Sequence, residues 1–163
     1  MHVRRADEAE IGHLAKLWHD VWQDSHARLV PNELARLRTL SSFEDRLRAA
    51  LPDVRVAGPR GEPVGFCIVK NDELYQLYVL AEARGSGVAG ALLADAEARL
   101  ADNRVETAWL ACAVGNERAA RFYEKCGWRR AGTMRYDAET SIGTFPLEVW
   151  RYERSLTRPG SPR

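Results

Sequence analysis

Net charge is almost absent from this 163-residue chain: 24 Lys plus Arg stand against 23 Asp plus Glu, a formal charge of +1. Such a balance gives no global field for holding nucleic acid or an anionic membrane surface, so any anion must be recognised locally. Cysteine is scarce and scattered. Cys67, Cys112 and Cys126 are odd in number and include no CxxC pair, which argues against a disulfide framework or a zinc site and for buried, reduced thiols. The histidines lack metal-ligand spacing, since His13 and His19, six apart, do not share a helix face. No apolar run approaches the roughly 20 residues of a membrane span, and MHVRRADEAE has no apolar centre of a signal peptide. The expectation is a cytoplasmic protein with no nucleic-acid partner, no membrane partner and no metal.

What is present is enough apolar material, 45% of the residues, for one core, and we expect a single domain over 1–155 followed by a disordered tail, 156–163. Val3 to Ala6 suggests a short strand. Asp7 as N-cap with Glu10 three residues later opens a helix carrying Ile11, Leu14, Leu17, Trp18 and Val21 on one face. WQDSHARLVP breaks that period and places Asp24, Ser25 and His26 in a loop. Leu34, Leu37 and Leu40 suggest a second helix, and Phe43, Leu47 and Leu51 a third, capped by Ser41 or Ser42. From Val54 the period becomes strand-like: Val54 to Ala57, Val64 to Lys70, and a third strand after the Asn71-Asp72 turn. Ala108 to Val114 is apolar almost throughout, as for a strand covered on both faces. A helix from Asn116 to Gly127 and strands at Trp128 to Tyr136 and Leu147 to Glu153 complete the chain.

The stretch after the third strand carries the chemistry. The run Leu74, Tyr75, Leu77, Tyr78, Val79, Leu80 ends in a short link, Ala81 to Arg84, and glycines fall at 85, 87 and 90 as a helical pattern begins. A helix start offers unpaired N–H groups and the positive end of the helix dipole, and glycines let a phosphate approach them. The spacing G-x-G-x-x-G also matches the dinucleotide fingerprint. That reading fits poorly: four residues separate strand from glycine, three strands come first, and the next strand, WLACAV, ends without an acidic residue. A nucleotide-cofactor oxidoreductase stays the weaker rival. A Walker loop is excluded, because no Lys-Ser or Lys-Thr follows the glycines.

The segment resembles the acyl-CoA-binding motif of the GNAT N-acetyltransferase superfamily, Q/R-x-x-G-x-G/A, met here as Arg84, Gly87 and Ala89. A second hallmark of that family is similar to N-E-R-A-A-R-F-Y-E-K-C-G-W from Asn116 to Trp128. The element order also resembles the GNAT fold from about residue 2 to 155: an α+β arrangement whose mostly antiparallel sheet splays between the strand before the glycine loop and the strand after its helix. The resemblance implies acetyl-CoA as co-substrate. The backbone of Gly85, Ser86, Gly87, Val88, Ala89 and Gly90 would hold the pyrophosphate, with Arg84 leading the loop. Leu77, Tyr78 and Val79 would bond the pantetheine arm as a pseudo-strand, joined by Asn116.

The resemblance further implies direct attack of a neutral amine on the thioester, which calls for a base for the amine and an acid for the departing thiolate. Tyr123 matches the family's general acid, while Phe122 keeps a core role. No base is matched. Relatives that acetylate protein N-termini carry a Glu where this chain has Ala111, which weakens that assignment. Glu73 opens the strand, and alternation places it on the face of Tyr75, Leu77 and Val79, so it is the first candidate base, directly or through water, with His26, Asp24 and Glu148 as further candidates. The acceptor pocket falls to Trp18, Trp22, Asp24, His26, Tyr136 and Glu148. The expected activity is acetyl transfer to an amine of a small molecule or an exposed protein amine; the rival is a non-catalytic acyl-CoA-binding domain. A monomer and a homodimer both stay open.

Overall fold

The computed structural model describes residues 2–156, so residues 157–163 of the expected tail lie outside the described part. Seven strands form one mixed sheet: β1 (Val3–Arg5), β2 (Val54–Ala57), β3 (Gly65–Lys70), β4 (Glu73–Val79), β5 (Thr107–Ala113), β6 (Arg129–Thr140) and β7 (Gly143–Ser155), in the order β1-β2-β3-β4-β5-β7-β6. Every neighbouring pair is antiparallel except β4 and β5. Five helices cover it: α1 (Ile11–Ser25), α2 (Asn32–Leu37), α3 (Leu40–Ala50), α4 (Val88–Asp102) and α5 (Glu117–Lys125). The α+β class expected from the sequence is the one observed. No helix among the described residues is long and apolar enough to cross a membrane.

Strand alternation builds two cores, one on each face. Val54, Val56, Phe66 and Ile68 meet Leu14, Trp18, Phe43 and Leu47 of α1 and α3. Ala57, Cys67 and Val69 point the other way, toward Leu92, Ala96 and Leu100 of α4. Each fully buried large side chain contributes about 1.5–3 kcal/mol relative to exposure, so these stripes hold the helices to the sheet. Glu10 clamps the start of α1. Its buried carboxylate accepts from both terminal nitrogens of Arg4 (2.9 and 2.8 Å) and from the N–H groups of Asp7 and Gly61 (2.9 Å each), which holds its pKa down at about 2.

Several expectations are corrected. α1 does not stop before the WQDSH segment. Trp22, four residues after Trp18, continues the buried face, and the Ser25 hydroxyl donates to Val21 O (2.8 Å), so Asp24 and Ser25 lie on the last turn and His26 is its C-cap. Thr39, not Ser41 or Ser42, caps α3: its hydroxyl accepts from Ser42 N–H at 3.1 Å. β5 is covered on one face only. Ala108, Leu110 and Cys112 are buried, whereas Trp109, Ala111 and Ala113 are half-buried. Leu156 belongs to the fold, its N–H donating to Glu106 O at 2.8 Å. The correction with most consequence is in β4. Ile68 pairs with Gln76 but Val69 with Leu74, so one extra residue, Tyr75, is accommodated on β4 and side-chain alternation slips by one. Leu74, Leu77 and Val79 pack with the α4 core, while Tyr75, Tyr78 and Leu80 pack with the α1 and α3 core.

Candidate active site

β4 and β5 meet at one point. Glu73 pairs with Trp109, Trp109 N–H donates to Asp72 O (3.2 Å), and the Trp109 indole donates to the Asp72 carboxylate (2.9 Å). Beyond that apex the two strands diverge, and the β4 edge from Tyr75 to Val79 has no partner in β5. The wedge between them opens into a cavity of about 650 Å³. Unpaired strand backbone inside a fold is costly unless a ligand supplies the missing partners, so the wedge is suited to an extended molecule with amide groups.

At the open end stands the glycine turn. Gly85 and Gly87 adopt φ of +79° and +90°, and Gly87 is the N-cap of α4. Nothing lies within 4 Å of where a Cβ would stand at Gly85, Gly87 or Gly90, and all three line the cavity. Val88 is buried and pins the first turn to the core. Ala91 N–H is bonded back to Gly87 O (3.0 Å), which leaves the N–H groups before it without the intrahelical acceptor that later residues have. Arg84 and Arg118 line the same end, and the burial of Arg84 together with the charge of Arg118 pushes the Arg84 pKa down. Two cations and a helix N-terminus therefore converge on an open, glycine-walled cradle, as a pyrophosphate requires.

α5 forms the opposite wall. Asn116 is its N-cap, its side-chain oxygen accepting from Ala119 N–H at 3.4 Å, and it faces the cavity together with Ala119, Phe122 and Tyr123. Tyr123 is buried against Phe122, Trp128 and Tyr152. Among the described residues its hydroxyl has no hydrogen-bond partner, and burial raises its pKa, so it stays protonated.

Beyond the wedge, toward α1 and the β6–β7 hairpin, lies a smaller cavity of about 90 Å³. His26, Tyr75, Gln76, Tyr78, Ala111 and Ala113 line both spaces, so the two are neighbours through a shared wall. His26 stacks on Trp22 with rings 5.9 Å apart and 9° from parallel. Its Nδ1 is 2.7 Å from the Ser25 hydroxyl. Because that hydroxyl donates to Val21 O, the imidazole is read as donating from Nδ1. Burial and the nearby Arg38 push its pKa down to about 4, so the ring is neutral. Glu73 lies behind this cavity. Burial pushes its pKa up to about 7, partly offset by the Tyr136 hydroxyl, which donates to Glu73 Oε2 at 2.8 Å. Tyr136 itself lines the small cavity.

The acetyltransferase (GNAT) family matches residues 14–128. The chain belongs to the GNAT family. An uncharacterized N-acetyltransferase of Mycobacterium tuberculosis (strain ATCC 25618 / H37Rv) is 33% identical over 115 residues, 68% of this chain and 71% of that protein. An N-acetyltransferase from Staphylococcus aureus Mu50 shares the fold with a TM-score of 0.73 at 18% identity, covering 96% of this chain and 98% of that one. A GNAT superfamily phosphinothricin acetyltransferase from Sinorhizobium meliloti, solved in complex with acetyl-CoA, has a TM-score of 0.69 at 17% identity over 95% of this chain and 88% of its own.

Within this GNAT chain, most of the residues expected at the cofactor converge. Leu77, Tyr78, Val79, Arg84, Gly85, Gly87, Ala89, Gly90, Asn116 and Tyr123 all line the larger cavity. Ser86 and Val88 do not present side chains to it, since the Ser86 hydroxyl turns back to Ala83 O and Val88 is in the core. Trp18, Trp22, His26 and Tyr136 line the smaller cavity. Asp24 and Glu148 are exposed and line neither cavity: Asp24 lies near enough to Arg84 to favour its charged form, and alternation along β7 turns Leu147 and Val149 inward and Glu148 outward. Glu73 is not on the face of Leu77 and Val79. The slip at Tyr75 leaves Glu73 sharing a face with Tyr75, on the side of α1 and α3. Gln76, Arg38 and Arg46 were not foreseen. Arg46 follows Phe43 by three residues and precedes Leu47, a position on the inward side of α3, and this is the one sequence signal that pointed to any of them.

Proposed function

We propose that this GNAT chain transfers the acetyl group of acetyl-CoA to an amine, and the observation that carries the reading is the unpaired β4 edge running from a glycine-walled helix N-terminus to a buried Tyr123 hydroxyl. The residues fit the cofactor. The N–H groups of the Gly87 turn, with Arg84 and Arg118, hold the pyrophosphate, and the β4 edge with Asn116 holds the pantetheine arm. Bound acetyl-CoA supplies a thioester whose carbonyl carbon accepts the amine nitrogen.

The protein's own groups manage the protons. Tyr123, kept protonated by its burial, donates to the thiolate sulfur as the carbon–sulfur bond breaks. On the other side of the sheet, the Tyr136 hydroxyl accepts a proton from the amine nitrogen while passing its own to Glu73, a relay that needs no free phenolate. With a pKa of about 7, Glu73 is ionised often enough at neutral pH to begin the relay, and basic enough to complete it. Ala111 gives β5 no carboxylate at the wedge, and Glu139 in the smaller cavity is held by Lys70, which lowers its pKa, so Glu73 is the acidic group we favour as base.

The test is release of free CoA from acetyl-CoA with a panel of amines, beside a thermal shift with acetyl-CoA alone. Stabilisation by acetyl-CoA with amine-dependent CoA release supports the proposal. Stabilisation with only background hydrolysis across amines, polyamines and peptides would reduce the protein to an acyl-CoA-binding domain, and stabilisation by NAD(P) instead would remove the cofactor reading.

A further inference from the structure

The smaller cavity is lined by two arginines, Arg38 and Arg46, against one carboxylate, Glu139, an excess of positive charge that the proton relay does not use. Arg38, the C-cap of α2, is only 6% exposed. One terminal nitrogen of its guanidinium donates to the main-chain oxygen of Glu139, and its Nε is buried without an acceptor among the described residues. Arg46 of α3 lies over the Trp18 ring, 4.4 Å from its centroid, and donates to the Tyr75 hydroxyl at 3.0 Å. Its Nε is likewise buried without an acceptor. Among the described residues neither guanidinium forms an ion pair. Glu139, the acidic residue that favours the charged form of Arg38, is held by Lys70 at 2.6 Å. Burial and then the charge of Arg46 push the Arg38 pKa down to about 10, which still leaves it a cation at neutral pH.

The one carboxylate that lines this cavity, Glu139, acts on both arginines but is already held by Lys70, so a buried and a half-buried cation share a single carboxylate that a third cation holds, which is costly for a fold. A packing role alone would not require them, since apolar side chains of similar volume fill such space more cheaply. Both guanidinium side chains line a cavity that adjoins the proposed thioester site. A guanidinium fork matches the two oxygens of a carboxylate, and Arg is preferred to Lys where that geometry matters.

We infer that the acceptor is an amine bearing a carboxylate a few bonds away, an amino-acid-type substrate whose carboxylate is held by Arg38 and Arg46 in the smaller cavity while its amine faces the wedge between β4 and β5. This rests on the reading of the larger cavity as the thioester site. Because His26, Tyr75, Gln76, Tyr78, Ala111 and Ala113 line both spaces, the amine and the carboxylate lie on either side of these shared residues. Tyr136, beside the same cavity, then stands where the amine's proton leaves.

The experiment uses the full chain with matched pairs, each a free amino acid and its primary amide, measured by CoA release and by calorimetric binding to the CoA-loaded protein. The acid should be preferred to the amide by about 10- to 100-fold in kcat/KM, the span expected for one charge-assisted hydrogen-bonded contact. Arg38→Met should bring that ratio toward one, and Arg46→Met does the same should the first variant fail to fold; a merely structural arginine would leave the ratio untouched. Equal or better use of the amides by the unaltered protein overturns the inference, and acetylation of other amines would then leave the proposed function standing. If no amine releases CoA, the proposed function falls and binding decides: tighter binding of the acids keeps the carboxylate site, and equal binding removes it.

Discussion

Replacing Glu73 with glutamine keeps the shape of the side chain and an oxygen that can accept from Tyr136, but it removes a titration. Glu73 is 8% exposed and its pKa is raised to about 7, first by desolvation, then lowered somewhat by the Tyr136 hydrogen bond and by Lys70, while Asp72 and Glu139 raise it. In the unfolded chain the same group titrates near 4.5. Between those values the native state holds a proton that the unfolded state has lost, so stability must fall as pH rises through the window and level off above about 7. At about 1.4 kcal/mol per pKa unit, the loss attributable to this one residue between pH 5 and 8 is about 2–3 kcal/mol. The variant lacks that slope. Urea unfolding of both proteins at intervals from pH 5 to 8 should therefore show Glu73→Gln gaining on the parent as pH rises.

The same substitution tests the relay. In the parent, kcat/KM should climb with pH through about 7 as Glu73 ionises, then flatten. In Glu73→Gln that limb should vanish and the rate drop by at least about 100-fold. Parallel stability curves would mean that the carboxylate is not desolvated in solution. A variant that retains the parental rate and the parental limb would place the base elsewhere, whatever the stability data say.

Tyr123→Phe should lower kcat by about 100-fold or more with little change in acetyl-CoA affinity, because the ring packing is kept and only the proton donor is lost; steady-state kinetics with acetyl-CoA titrations separate the two. Gly87→Ala forces a side chain into a φ of +90° and puts a methyl into the cradle, so it should cost about 1–2 kcal/mol of stability in urea and raise the KM for acetyl-CoA. Arg4→Met strands the buried Glu10 carboxylate and should destabilise by about 3–5 kcal/mol at neutral pH. Because Arg4 holds Glu10 at about 2, the parent should lose this contribution as pH falls from about 4.5 toward 2, and the variant should lack that acid limb in urea unfolding carried from neutral pH down to about 2.

The glycine turn at the mouth of the larger cavity was legible because its physics is local. Glycines at 85, 87 and 90 announce a backbone that needs positive φ and open space, and a strand before them with a helix after them leaves few uses for that pattern. At the smaller cavity Trp18, Trp22, His26 and Tyr136 were expected, but Arg38, Arg46 and Gln76 were not, because the contacts there join segments far apart in sequence. Arg38 reaches Glu139 across 101 positions and Tyr136 reaches Glu73 across 63, and nothing in the local pattern of either segment marks the contact. The continuation of α1 past Trp22 was missed for a different reason: the polar run Gln23, Asp24, Ser25 reads as a break, yet only the buried face at Trp18 and Trp22 decides whether the helix continues.

The slip at Tyr75 links the two halves. A strand of strict alternation starting at Glu73 would place the carboxylate on the same face as Leu77 and Val79, in the core beside α4, where the chain has already put Tyr123. Acid and base would then crowd one side of the thioester and leave the acceptor side without a proton acceptor. Taking in one extra residue between Leu74 and Gln76 moves Glu73 and Tyr75 to the face of α1 and α3, while Leu77 and Val79 stay with α4. In the proposed reaction this puts the candidate proton donor, Tyr123, on one side of the wedge and the candidate acceptor, Glu73 through Tyr136, on the other, so that as the tetrahedral intermediate forms and collapses the amine's proton and the departing thiolate are served by different groups. Deleting the extra residue to restore regular pairing would therefore be expected to improve the β3–β4 ladder and to abolish transfer, a pairing of outcomes that loss of folding alone cannot produce.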